Sequence, residues 1–323
     1  MKPTLEKLRL VREVYFHDSC PDGTISAMVC LSGYQKILGI TPKFYPLQYG
    51  TEFMRTLEPK NGQLFIDITP PIERWQEWVE YGPVVLDHHE TTRSVTDGLN
   101  GIYGFNKTDS GASLAFENVY KTLLEANSDK YSGLSAWKDF TELAMIRDTW
   151  KKDHPLWERA CSQALAIKMY GSEFLLNGIR NSTGPSLDEI IKLGEVLFQI
   201  QKRKTLKVAK GAFSKIDKDS SFKISLFNCT DSNISDVADV LLKEGTDVAV
   251  GYFYLFEDSM QSLCASVRTN EKVSASKIAK VFGGGGHERA AGFRIKDAEN
   301  SSPNVLLSYI KQGILSVNQP TKE

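Results

Sequence analysis

Three short apolar runs in the first third of the chain each break off at an acid or a histidine: EVYFHD at 13–18, QLFIDI at 63–68 and PVVLDHH at 83–89. Runs of this length, rich in Val, Ile, Phe and Tyr, predict strands, and TPKFYPL at 41–47 predicts another. Between them, GTISAMVCLSGYQKIL (23–38) has helical spacing, with small residues that permit close packing, and PIERWQEWVEYG (71–82) repeats that spacing. Strands alternating with helices imply βαβ units and a parallel sheet, whose ligands sit at the carboxyl ends of the strands. The polar clusters at 17–22, 67 and 87–89 occupy those ends.

Further along, SGASLAFENVYKTLLEA (110–126) and DFTELAMIRDTW (139–150) read as helices. From about Ser186 the chain predicts one long helix with a basic C-terminal half, most simply a solvated bridge between domains; an RNA-contacting or partner-binding helix is the alternative. A second α/β unit follows, with strands at 223–229, 247–256 and 262–269 and helices at 235–245 and 274–282. The expected fold class is therefore α/β: an N-terminal, Rossmann-like parallel-sheet domain (1–185), a linker helix (186–219) and a smaller α/β C-terminal domain (220–323).

Composition narrows the class. At 323 residues the chain exceeds what one core usually serves. A net charge of −1 gives no bulk attraction for nucleic acid, so a phosphate-bearing partner would need a local site. Its apolar stretches fall well short of the roughly 20 residues of a membrane span, and MKPTLEKLRLVREVYF has no secretory apolar core. Five cysteines, odd in number and without a CxxC pair, suit free thiols in a reducing compartment. The expectation is a cytoplasmic protein.

The polar clusters together supply His17, Asp18, Cys20 and Asp22, then Asp67, then Asp87, His88 and His89, then Asp148. Taken singly, most have ordinary readings. Asp22-Gly23 suits a turn and helix cap, Asp67 before two prolines an Asx turn, and Asp148 a salt bridge. Asp87-His88-His89 is harder to place, because two imidazoles and a carboxylate crowd the end of an apolar strand with nothing to organise them. A divalent cation would do so. The imidazole and carboxylate mixture suits Mn²⁺ first, with Mg²⁺, Zn²⁺ or Fe²⁺ as further candidates.

The order of these stations resembles that of the DHH phosphoesterases, which take their name from the tripeptide found here at 87–89. The resemblance extends to the C-terminal part, where Ser266-Val267-Arg268 and GGGGHERAAGF (283–293) are similar to the signature of the DHH-associated domain. It implies that His17 and Asp22 bind separate metals and that Asp67 bridges them. His88 and Asp148 would complete the second metal's shell, Asp87 would orient a histidine, and His89 would point at the scissile phosphate. Two cations about 3.5–4 Å apart can polarise both the attacking and the leaving oxygen, so no Ser or Cys nucleophile is needed. One station departs from the family pattern: Cys20 stands where most members carry a metal-binding aspartate. A thiolate there would favour Zn²⁺ or Fe²⁺, and the expectation is a tight second metal and a weaker first one.

In the C-terminal part, consecutive glycines permit φ > 0 and let backbone N–H groups approach an anion. Gly284, Gly285, Gly286, His287 and Arg268, with Arg289 at the margin, are thus candidate substrate-binding residues; a flexible linker is the plainer reading of the glycines. Asp109 to Ser113 begins a helix, with capping as its first role and phosphate contact as its second. The resemblance points to a hydrolase acting on a short oligonucleotide, dinucleotide or other phosphoester, with chemistry on one wall of a cleft and the substrate's far end held on the other. The rivals are a polyphosphate, pyrophosphate or nucleotide phosphatase and a non-catalytic nucleotide-binding module.

Overall fold

A computed structural model describes residues 2–104, 109–126, 134–218, 221–229, 234–257, 260–296 and 302–318. The chain forms two compact units, Met1–Phe198 and Gln199–Glu323.

The first unit is built on five strands: β1 (Glu13–His17), β2 (Lys43–Leu47), β3 (Gln63–Ile66), β4 (Val84–Asp87) and β5 (Ile102–Tyr103). They pair in the order β2-β1-β3-β4-β5, all parallel. Side chains alternate between two cores. Val14, Phe16, Leu64, Ile66, Val84 and Leu86 face one cluster, while Tyr15, Phe65 and Val85 face another with Trp78 and Leu47. A parallel sheet covered on both faces needs apolar residues at successive positions, which is why these runs read as continuous rather than alternating. The helix α1 (Pro21–Gly33) follows β1 and is buried from Asp22 through Gly33. Its Gly, Ala, Ser and Cys residues are what a helix enclosed on all sides requires.

Further helices of this unit include α2 (Gly111–Ala115), α3 (Leu134–Asp148), α4 (Trp157–Tyr170) and α5 (Ser172–Asn181), besides single-turn helices at Leu5–Arg9, Glu52–Thr56 and Arg93–Gly98. Beyond α2 the chain continues through a wider turn at Phe116–Tyr120 and a helical turn at Lys121–Glu125. The segment expected to be a helix at 71–82 forms only a 3₁₀ helix, Trp75–Tyr81. There Trp78 is buried and its indole N–H donates to Gln63 at 2.7 Å. That single anchor holds the segment against the sheet while Val79 and Tyr81 stay exposed.

The long helix α6 (Leu187–Lys210) spans the division between the units. The second unit carries β6 (Phe213–Ile216), β7 (Lys223–Asn228), α7 (Ile234–Lys243), β8 (Val248–Glu257), β9 (Met260–Thr269), α8 (Ala275–Val281), β10 (Gly285–His287), β11 (Ala290–Ile295) and α9 (Pro303–Asn318). Its sheet runs β10-β11-β9-β8-β7-β6, with β7 and β8 parallel and the other neighbours antiparallel. One face packs Ile224, Val250, Leu263 and Val267 with Ile278 and Ile310; the other packs Phe227 and Ala249 with Val237 and Leu241. No described helix is long and apolar enough to cross a membrane.

Candidate metal centre

Sheet register places the site. Phe16 pairs with Ile66, and Ile66 with Leu86, so His17, Asp67 and Asp87 stand level at the ends of three adjacent strands. The chain leaves β1 for β2 on one side and returns to β3 on the other. The connections leaving β1 and β3 therefore diverge, as at the ligand-binding switch point of open α/β sheets. Asp67 adopts φ +60°, the left-handed region that few residues other than glycine enter, and Ser19 does the same at φ +56° just after β1.

His17, Cys20 and Asp67 offer ligand atoms lying within 4.8 Å of one another, as do Asp67, His88 and His89, and Asp22, His88 and Asp148. His88 Nε2 is 3.1 Å from Asp67 Oδ1, 3.3 Å from Asp148 Oδ2 and 3.9 Å from Asp22 Oδ2. His17 Nδ1 lies 3.5 Å from Asp67 Oδ2, and both atoms are buried without a hydrogen-bond partner. A native interior seldom leaves such atoms unsatisfied. Two lone ligand atoms turned towards each other, among three carboxylates and three imidazoles, fit a divalent cation.

The protonation pattern agrees. Burial, then the Asp67 and Asp148 charges, push the Asp22 carboxyl well above its ordinary range, and burial and Asp67 raise Asp148 as well. Burial also acts on Asp67, but the His17, His88 and His89 imidazoles beside it hold it below the usual carboxylate range. Burial opposes charge on His88, yet Asp67, Asp22 and Asp148 push it up to about 10. Protons on these groups would offset the crowded charges, and a bound cation would displace them.

Asp87 is fully buried and takes no place in these groups. Its carboxylate accepts from His89 Nδ1 at 2.8 Å and from the Thr92 hydroxyl, so it fixes the tautomer and ring angle of His89. Burial disfavours the charged imidazole, but Asp87 and Asp67 outweigh it and raise His89 to about 9.

Several participants were not visible in the sequence. Gly111 and Ala112, at the start of α2, donate backbone N–H groups to Asp22 at 2.5 and 3.1 Å. The segment Asp109–Ser113 was expected to cap a helix, and Ser110 does so. The freed amides serve Asp22 rather than phosphate. Asp22 in turn lies inside the first turn of α1. Gly111 has to be glycine, because a Cβ there would meet Asp67 Cβ and Asp22 Oδ2. Thr92 sits in an unremarkable ETTR stretch, where no local signal marks it.

In the second unit, Arg268 is half-buried on β9 and donates to Ser266 Oγ, the Val267 carbonyl and Ser235 Oγ. The glycine run is ordered as β10 and its turn rather than a free linker. Gly283 has φ +73° and Gly286 φ +140°, and a Cβ on Gly284 would strike the Gly292 carbonyl oxygen. Gly285 has open space around it, and His287 is exposed. Arg289 is turned to the backbone, donating to the Asn270 and Val273 carbonyls.

Comparison with known proteins places this arrangement. Residues 219–312 match the DHHA1 domain family. A pGpG-specific phosphodiesterase, PggH from Vibrio cholerae, superposes with TM-score 0.57 at 16% identity, covering 94% of this chain and 98% of that one. An exonuclease RecJ bound to manganese gives TM-score 0.58 at 16% identity, covering 98% of this chain and 92% of that one. RecJ from Thermus thermophilus in complex with Mn²⁺ gives 0.53 at 16% identity, covering 98% of this chain and 53% of that one. Identities this low speak for a shared fold. No curated protein matches the chain. The chain thus carries a C-terminal DHHA1 domain and shares its overall fold with these solved structures.

Proposed function

We propose that the protein hydrolyses phosphoesters with divalent cations held at the carboxyl ends of β1, β3 and β4. The observation that carries this is the facing pair of buried atoms without hydrogen-bond partners, His17 Nδ1 and Asp67 Oδ2, inside a cluster of seven side chains able to ligate a cation. His17, Cys20 and Asp67 would hold one cation, and Asp22, Asp67, His88 and Asp148 the other. When bound, such cations supply a water acidic enough to attack near neutral pH and positive charge for the ester oxygens. Asp67, which belongs to two of the candidate groups, would serve both positions. The Gly111 and Ala112 amides hold Asp22 in place. Asp87 keeps His89 charged and oriented, leaving Nε2 free to donate to a phosphate oxygen. Arg268, His287 and the open backbone at Gly285 are the residues we assign to a substrate phosphate. Mn²⁺ is our first choice of cation, supported by the manganese in the RecJ structures.

Short oligonucleotides or dinucleotides are the substrates we favour. The chain carries no basic excess for long strands, and proteins of this fold include a pGpG-specific phosphodiesterase and an exonuclease. The test is hydrolysis of bis-p-nitrophenyl phosphate with Mn²⁺ by the wild type and by Asp67→Ala. We expect turnover in the wild type and a fall of at least about 1,000-fold in the variant, the scale of losing a principal electrostatic group. Equal, negligible rates would instead make the chain a nucleotide-binding module. Assays with pApA, a short RNA, adenosine 3′,5′-bisphosphate and polyphosphate then rank the substrates.

A further inference from the structure

Bulky indoles are usually covered in a folded chain, and Trp78 and Trp137 follow that rule. Trp150 does not, being 39% exposed. Its backbone is unusual as well. Helix α3 ends at Asp148, and the turn that follows has the Schellman pattern. The Trp150 N–H donates to the Arg147 carbonyl at 3.3 Å, and the Lys151 N–H donates to the Ile146 carbonyl at 3.0 Å. The residue that closes such a turn is left-handed and is most often glycine, yet here it is Trp150, at φ +58°. A bulky side chain in that region is an outlier, so the turn itself gives no reason for an indole.

The surroundings give one. The Arg147 guanidinium lies over the Trp150 ring at 4.3 Å and over Trp157 at 5.2 Å, and the Lys152 ammonium lies over Trp150 at 4.8 Å. The two indoles meet edge to face, with centroids 5.3 Å apart. This aromatic and cationic patch borders the candidate cation ligands. Trp150 stands two residues from Asp148, so their Cα atoms are within about 7.6 Å, and Asp148 Oδ2 is 3.3 Å from His88 Nε2. Lys151 belongs to the same neighbourhood: burial raises the Asp109 carboxyl, and the charges of His88 and Lys151 beside it act against that rise.

We propose that Trp150 is a specificity-determining residue whose exposed indole stacks on a nucleobase of the substrate, beside the cation ligands that face its phosphate. Every base has a π face, so a platform of this kind holds nucleotides with little regard to sequence. Lys152, a point charge on a flexible stem, gives way to the base and stays close to the nucleotide's phosphates. The inference rests on the phosphoester reading above and narrows it to substrates that carry a base, because polyphosphate and pyrophosphate offer nothing to stack.

The test uses the full-length chain with Mn²⁺ and two ligands. One is pApA with a phosphorothioate linkage, which slows hydrolysis; the other is the same molecule with both bases removed. Calorimetry gives their affinities for the wild type, Trp150→Phe and Trp150→Gly. Glycine suits the left-handed backbone, so the last variant keeps the turn. A base stacked on an aromatic side chain is worth about 5- to 150-fold in affinity. We expect the wild type to prefer the base-bearing ligand by at least about 5-fold, and Trp150→Phe to keep most of that preference. Trp150→Gly should lose at least about 5-fold of it while binding the base-free ligand as before. A wild type that binds both ligands equally or neither, a preference undiminished in Trp150→Gly, or an equal loss for both ligands in that variant overturns the inference. The measurement reads binding and not turnover. A chain that holds nucleotides without hydrolysing them still shows the preference, and an enzyme that passes the Asp67→Ala test can still fail this one.

Discussion

His89 owes its usefulness to a residue that belongs to none of the metal groups. Asp87 holds its Nδ1, and Thr92 holds the other oxygen of Asp87. Removing the Thr92 hydroxyl as Thr92→Val leaves a buried carboxylate oxygen short of a donor and lets the pair rotate. Losses from such supporting groups run to about 10- to 100-fold. We expect kcat to fall by that amount with bound manganese unchanged, checked by steady-state kinetics alongside metal analysis. Gly111 presents the opposite problem, too little room rather than too few bonds. A methyl group at this position meets Asp67 and comes within 2.9 Å of Asp22 Oδ2. Gly111→Ala should cost about 1–3 kcal/mol by overpacking, read by urea denaturation. It should also weaken Mn²⁺ binding, because the group displaced is one of the ligands proposed above.

Elements explain why part of this was legible and part was not. β1, β3 and β4 could be read because both sheet faces are apolar and each run stops where Phe16, Ile66 or Leu86 gives way to a polar residue. The level alignment of His17, Asp67 and Asp87 could not, since register is set by pairing between strands and not by any one of them. Likewise α1 was plain from its small residues, whereas α4 and α5 escaped notice. Leu156, the residue before α4, offers no side-chain cap, and Gly171 joins the two helices at φ +77°, so no start signal stands in the sequence. The link between Asp22 and the start of α2 joins residues far apart in the chain, which local spacing does not encode. In the second unit a comparable long link is Asp247, which accepts from the Lys223 N–H, Asn270 and Lys272 at 2.9, 2.6 and 3.0 Å. It ties the start of β7 to the turn after β9. Burial raises this carboxyl, but those donors outweigh it and hold it below its ordinary value. Its contribution is therefore present above the unfolded carboxylate value of about 3.9 and lost as pH falls through the lower folded one. Asp247→Asn should cost about 2 kcal/mol at neutral pH, and melts of both proteins should converge as pH drops below about 4.

At the scale of the whole chain, each apolar cluster belongs to one unit: two lie between Leu8 and Ile191, and two between Ala209 and Ile314. Among the described residues, every side chain grouped as a candidate cation ligand belongs to the first unit. A cation that binds only the folded first unit stabilises that unit by mass action, about 2.7 kcal/mol when its concentration is 100 times Kd. For a unit of this size that corresponds to roughly 5–10 °C in Tm. Calorimetry of the full chain should accordingly show two transitions, of which Mn²⁺ raises one and leaves the other in place. Acid should act in the reverse sense on the second unit, through Asp247. The two treatments then label the transitions independently. If Mn²⁺ moved both by the same amount, the clusters would be melting as one cooperative body, and the separation of cores along the chain would not be a separation in stability.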